Sequence, residues 1–260
     1  MNIIQLRNAT VILEYGPNRI LVDPMLAERG ALPALKFFSG RERNPVVELP
    51  LHTDALLETV THCLITHCQK GHFDHLDRAG KRWLRNTGVP VICTAHDAEH
   101  LRARGLKVQP LAAEHHEPQP FLNGSIRTVP CLHGRGVIGR LMEHGVGYVI
   151  DMPGEPRLYL LGDTVLTPEV LDCVARYRPA VSVVPAGGAR FDLGGEIIMG
   201  IDDVIAYARA APGVVVANHL EALNHCPVSR EGLRSAAARA GVDDRMRIPA
   251  DGEVLAFGEA

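Results

Sequence analysis

Ile65-Thr66-His67-Cys68-Gln69-Lys70-Gly71-His72-Phe73-Asp74-His75-Leu76-Asp77 is the stretch whose reading decides the fold. It sets three histidines and an aspartate within nine residues, directly behind Val60 to Ile65, a run that reads as a buried strand. Imidazole and carboxylate together suit zinc, manganese or iron, and a loop at a strand end can aim several side chains at one point. The spacing His72-x-Asp74-His75 is tighter than a polar loop needs. The rest of the chain supplies partners of the same kind. Asp23, His133, Asp163 and His219 each stand just past a stretch with strand character.

Working outward, Ala9 to Tyr15 and Arg19 to Pro24 form a β-hairpin around Gly16-Pro17-Asn18, by period and by turn chemistry. Met25 to Pro50 is irregular and broken by Gly30, Pro33, Gly40 and Pro45. A long loop of this kind in a compact chain is commonly functional, and it reads as a flap near the site. Helical turns at Asp54 to Glu58, Arg78 to Arg85 and Asp97 to Arg104 alternate with strands at Val89 to Cys93 and Lys107 to Leu111. Strands follow at Ser125 to Pro130, Gly147 to Met152 and Leu158 to Leu161. Thr167-Pro168-Glu169 is a strong helix start. The strand Ala180 to Val184, the glycine-rich loop Gly187 to Gly195, a helix from Asp202 and the strand Val214 to Ala217 come next. Ser229 caps a last helix, and Arg245 to Ile248 is expected to pair with Glu253 to Phe257 across the Asp251-Gly252 turn. Two such halves, with polar residues at strand ends, predict an α/β fold: a four-layer αββα sandwich over residues 1–260 as one domain.

The ordered motifs resemble those of the metallo-β-lactamase superfamily from about Ile3 to Phe257. They are Ala9-Thr10 to Asp23-Pro24, Thr66-His67 with His72-Phe73-Asp74-His75-Leu76-Asp77, Pro130-Cys131-Leu132-His133-Gly134, Leu161-Gly162-Asp163-Thr164 and Ala217-Asn218-His219. The motifs look nearest the branch of L-ascorbate-6-phosphate lactonases and N-acyl-phosphatidylethanolamine phospholipase D-like enzymes. The resemblance implies one metal on His67, His72 and His133 and a second on Asp74, His75 and His219, with Asp163 bridging. It gives Asp23 the task of orienting the loop without touching metal. A pair of ions of this kind turns water into hydroxide near neutral pH and stabilises the developing oxyanion. Asp74 and Asp163 are then the candidate catalytic carboxylates, with Asp74 a candidate acid for the leaving group.

The chain departs from the family where four residues, Cys68 to Gly71, separate His67 from His72; the usual loop has one. With strand register kept, Lys70 would take the ordinary first-ligand position, and a charged lysine is no ligand. With a bulge at Gly71, His67 still reaches the metal. Both outcomes stay open, and with them a count of one or two divalent ions, zinc ahead of manganese or iron. His225, six residues beyond His219, is the alternative late ligand. Arg190 in the glycine-rich loop, and Lys70, are candidates for contact with an anionic group.

The formal charge of −3 and the scatter of 27 basic residues offer no field for a nucleic-acid backbone. Six well-separated cysteines and a start that reads as a strand predict reduced thiols and a cytoplasmic protein. No apolar segment reaches the ~20 residues of a membrane span. The expected activity is metal-dependent hydrolysis of a small ester, lactone, amide or phosphodiester by metal-bound hydroxide, the partner being a small-molecule substrate. A metal-binding or small-molecule-sensing protein on the same fold is the alternative. An iron-dependent redox enzyme ranks below it, since the loop lacks an extra carboxylate and no flavin or rhodanese-like domain is visible. A nuclease ranks last.

Overall fold

The computed structural model describes residues 1–38, 41–69, 71–142 and 144–258. The first sheet holds β1 (Asn2–Arg7), β2 (Thr10–Tyr15), β3 (Asn18–Val22), β4 (His62–Leu64), β5 (Val91–Thr94) and β6 (Val108–Leu111). The second holds β7 (Gln119–Phe121), β8 (Gly124–Pro130), β9 (Val146–Asp151), β10 (Leu158–Leu160), β11 (Val181–Pro185), β12 (Val214–Asn218) and β13 (Met246–Arg247). The last strand, β14 (Val254–Ala256), returns to the first sheet beside β1, so each sheet has seven strands.

The helices are α1 (Thr53–Leu57), α2 (Arg78–Thr87), α3 (Ala95–Arg102), α4 (Gly136–Leu141), α5 (Pro168–Tyr177), α6 (Ile201–Ala210) and α7 (Arg230–Ala240). Between the sheets lies an apolar layer in which Val11, Leu13, Val22 and Leu64 of the first meet Val146, Tyr148, Leu160, Val183 and Val216 of the second. Outside the first sheet, Leu84 of α2 and Leu101 of α3 cover Cys63 and Val91. Outside the second, α5, α6 and α7 bury Val170, Tyr207 and Leu233. The result is the expected four layers. Among the described residues no helix is long and apolar enough to cross a membrane.

Each sheet is part antiparallel and part parallel. β1 to β3 form an antiparallel meander, and β3 to β6 run parallel, with helices as crossovers from β4 onward. Parallel β3 and β4 end together, so Asp23 N donates to Leu64 O at 3.1 Å and the loop after β4 opens beside Asp23. α2 begins at the far end of that loop. Its cap, Asp77, accepts from Gly80 N at 2.7 Å and from Ala27 N at 2.6 Å, joining helix start to flap. A Cβ on Gly80 would stand 2.2 Å from Pro24 O, so only glycine lets α2 come this near the Asp23 turn. Fully buried Arg7 holds the flap from the other side, donating to Met25 O, Ala27 O and Val47 O.

The helix start at Thr167 is as its sequence predicts, the hydroxyl accepting from Val170 N. The C-terminal hairpin is not. β13 pairs parallel with β12, and β14 pairs antiparallel with β1, so the Asp251-Gly252 turn carries the chain from one sheet to the other. Each strand gains a free sheet edge, whereas Pro249 between them has no N–H for a hairpin ladder. β7 and α4 have no counterpart in the sequence reading.

Candidate metal centre

Three non-glycine residues in left-handed backbone gather at the strand ends: Asn8 (φ 56°), Asp23 (φ 44°) and His219 (φ 58°). Such conformations cost energy and persist where surrounding contacts over-determine them. Here the contacts are specific. His219 N donates to Asn8 O at 3.0 Å. Thr66 N donates to one Asp23 oxygen at 2.8 Å, while the other accepts the Thr66 hydroxyl at 2.6 Å and His75 Nδ1 at 2.8 Å.

The Thr66 hydroxyl, spent as donor to Asp23, accepts from His67 Nδ1 at 3.1 Å. His133 Nδ1 donates to Ile197 O at 2.8 Å. Three imidazoles thus have Nδ1 tied down on the outside and Nε2 turned inward. That is the arrangement that metal-binding histidines use.

Two buried groups result. His67, His72 and His133 form one; Asp74, His75, Asp163 and His219 form the other. Within each, the donor atoms all lie within 4.8 Å of one another. His67 Nε2 lies 3.1 Å from His72 Nδ1. Asp163 Oδ2 lies 3.1 Å from His75 Nε2 and 3.5 Å from His219 Nε2, and also 3.5 Å from His133 Nε2 in the first group. Asp74 Oδ2 is 3.5 Å from His219 Nε2. Despite the four-residue separation, the fold delivers His67 to the first group. Gly71, next to His72, has φ 95°, a backbone conformation that favours glycine. Lys70 lies outside the described residues.

The two groups differ electrostatically. Burial holds His67 well below the usual imidazole range and His72 at about 4, and it lowers His133 too, so all three are neutral donors. For His75 and His219 burial pulls the same way but is outweighed by carboxylates, Asp163 foremost, and both are raised well above the usual value. Asp74 and Asp163 feel burial upward and the histidines, led by His75, downward; the histidines win. Seven buried imidazole and carboxylate groups whose donor atoms converge in two sets fit a pair of divalent ions by donor type.

Over these groups opens a cleft of about 410 Å³, with His72, Asp74, His133 and Asp163 in its floor. Its walls are apolar: Pro33 and Leu35 from the flap, Leu141 and Met142 at the end of α4, and Phe191 and Ile197 around the glycine-rich loop. His225 is no substitute for His219 in the cluster. Its ring, 3% exposed, lines the cleft with centroid 6.0 Å from Phe191. Arg190 is exposed and lines a different hollow with Glu196, Asp202 and Asp203, so it does not face the cleft as expected. Thr66 and Asn8 were not singled out as functional from sequence. Thr66 could have been, as the residue fixed between strand and first histidine; Asn8 shows only as an asparagine between two strands.

A strand-end cluster of this make-up between two seven-stranded sheets defines a metal-dependent hydrolase. The family model for the "Beta-lactamase superfamily domain" matches residues 18–220, and the chain belongs to the metallo-β-lactamase superfamily. Among relatives, the UPF0173 protein YddR of Bacillus subtilis is 34% identical over 99% of this chain and 100% of its own. A UPF0173 metal-dependent hydrolase of Methylobacterium nodulans is 29% identical over 71% of each chain. Among solved structures, an isothiocyanate hydrolase from Delia radicum gut bacteria is 32% identical, with a TM-score of 0.88 and 99% of both chains covered. These names are not those of the lactonase and phospholipase branch, which stays a resemblance of motifs.

Proposed function

We propose that the protein hydrolyses a small, largely apolar electrophile at carbon, an isothiocyanate or an ester, lactone or amide, with two divalent ions, zinc first among them. The observation that carries this reading is the pair of donor groups sharing Asp163 at the floor of an apolar-walled cleft. His67, His72 and His133 would hold one ion, Asp74, His75 and His219 the other, and Asp163 would span them. Bound there, the ions supply hydroxide near neutral pH and a Lewis acid for the developing negative charge. Asp23 and Thr66 keep His75 and His67 in the tautomers that face inward. The apolar walls seat a neutral organic group and thin the water around it. No lysine or arginine lies among the described residues of that lining, which favours a neutral reacting centre over a phosphodiester.

The likeness to an isothiocyanate hydrolase over nearly the whole of both chains supports the carbon electrophile. Adding water to an isothiocyanate and breaking its C–N bond gives an amine and carbonyl sulfide, and the nitrogen takes up both protons of that water, one on addition and a second that must be delivered as the C–N bond breaks. His225 is the titratable side chain of the lining outside the two donor groups, and we assign it that delivery. The test is amine release from benzyl isothiocyanate and phenol release from 4-nitrophenyl acetate, by chelator-treated protein before and after zinc is restored. Turnover that returns with zinc and is missing in Asp163→Ala is the expected result. Two bound metals per chain with no turnover of either compound, or of a simple lactone, would overturn the reading in favour of a sensor.

A further inference from the structure

Behind the wall formed by Gly71, His72 and Phe73 lies a second hollow, of about 490 Å³, which shares these residues and Pro33 with the cleft. Its other walls carry Arg43, Arg78, Lys81 and Arg104. These cations come from three separate stretches: Arg43 from the flap, Arg78 and Lys81 from one face of the start of α2, and Arg104 from the turn after α3. The chain's basic residues are scattered in sequence, and folding gathers these four.

One carboxylate, Asp77, lies with them, and its two oxygens already accept from Ala27 N and Gly80 N. Among the described residues none of the four cations is in an ion pair. Two are braced: Arg43 donates to Gly30 O at 2.7 Å and Ala31 O at 2.9 Å, and Arg104 to His100 O at 2.8 Å. Burial first, then the nearness of Arg104, lowers the Lys81 ammonium, while Asp77 pulls it the other way. Arg43, Arg78 and Arg104 are exposed and Lys81 is half-buried, so an anion can reach all four, and guanidinium and ammonium groups together suit carboxylate, sulfate or phosphate oxygens.

We infer that this hollow is an oxyanion subsite contiguous with the cleft, built to hold a carboxylate, sulfate or phosphate group. The step from there to substrate choice rests on the proposed hydrolase activity: a substrate with its reacting carbon in the apolar cleft could extend an anionic tail past Phe73. The alternative source is a free anion.

Isothermal titration of metal-loaded protein with inorganic sulfate tests the site itself. One saturable site is expected, weakened about tenfold or more in Lys81→Ala/Arg104→Ala at unchanged metal content, as loss of charged hydrogen bonds predicts. Absence of saturable binding, or equal affinity in both proteins, overturns the proposal, the second because it places sulfate at the metals. The source is read from kcat/KM on 4-nitrophenyl acetate and on 4-nitrophenyl hemisuccinate, which differ in a terminal carboxylate. A drop of about tenfold for the hemisuccinate alone assigns the subsite to the substrate's tail. An equal response of the two esters overturns that assignment in favour of a free anion. Sulfate binding that behaves as expected in a protein that turns over neither ester, nor benzyl isothiocyanate nor a simple lactone, would count against the hydrolase reading and leave the subsite standing.

Discussion

The two halves of the metal centre are held by opposite means. His67, His72 and His133 are neutral imidazoles without a carboxylate of their own, brought together by a bulged loop and the end of β8. Asp74, His75, Asp163 and His219 form a knot of carboxylates and imidazoles, braced behind by Asp23, Thr66 and Asn8. A cation entering the first group meets neutral donors, with Asp163 3.5 Å from His133 and the charge of Asp74 also felt by His72. A cation entering the second meets two carboxylates. The lesson is that Asp163 couples the halves: the neutral group depends on a carboxylate that belongs to the charged one.

Removing that carboxylate should give the largest effect. In Asp163→Ala we expect metal content to fall from about two ions to fewer than one per chain and hydrolysis to fall to background, since both groups lose charge compensation. Elemental analysis with the zinc-restored assay reads both; retention of two ions would break the coupling. His67→Ala should do less. It takes one donor from the neutral group and none from the charged one, so about one ion should remain, with reduced activity. Two ions in this variant would mean that His67 is no ligand, despite lying 3.1 Å from His72.

How legible each half was in the sequence follows from the same difference. Asp74 and His75 keep the motif spacing from His72, and Asp163 and His219 stand just past strand ends that hydrophobic pattern reveals. For the neutral group the spacing breaks, and only the folded loop, with Gly71 at φ 95°, decides that His67 joins His72 and His133. Residue spacing does not encode that. The same limit explains Arg190. It sits in a glycine-rich loop that does border the cleft, but one residue along, Phe191, is the side chain that points in. The four-cation hollow was invisible because its members are drawn from sequence positions 43, 78, 81 and 104, which only the packing of flap, α2 and α3 brings together. The C-terminal hairpin failed for a related reason: a turn motif tells that the chain reverses, not which sheet has an edge to receive it.

The bracing of the charged half can be tested without touching a proposed ligand. Asp23→Asn keeps the shape of the side chain but places an amide where one oxygen accepts from both Thr66 and His75. An amide group there leaves His75 free to turn or change tautomer. Metal affinity should fall about 10- to 100-fold, the usual cost of losing a partner behind a ligand, with zinc lost first from the half that contains His75. A competitive chelator titration measures it. Equal weakening at both halves would show that the Thr66 link from Asp23 to His67 matters as much as the direct bond to His75.

The smallest effect is expected on the loop of the neutral half. Gly71→Ala adds a Cβ that meets no atom within 4 Å, so any cost comes from backbone alone. At φ 95° a side chain destabilises the native loop by about 1–2 kcal/mol, which a urea midpoint at constant slope would register. Because His72 follows directly and His67 packs on it, some of that cost should appear as weaker binding of one ion and none as loss of the other. A variant that unfolds earlier yet keeps both ions at native affinity would separate loop strain from metal delivery. The bulge would then be an accommodation of the inserted residues, and the inward turn of His67 would be owed to the Thr66 hydroxyl at the other end of the loop.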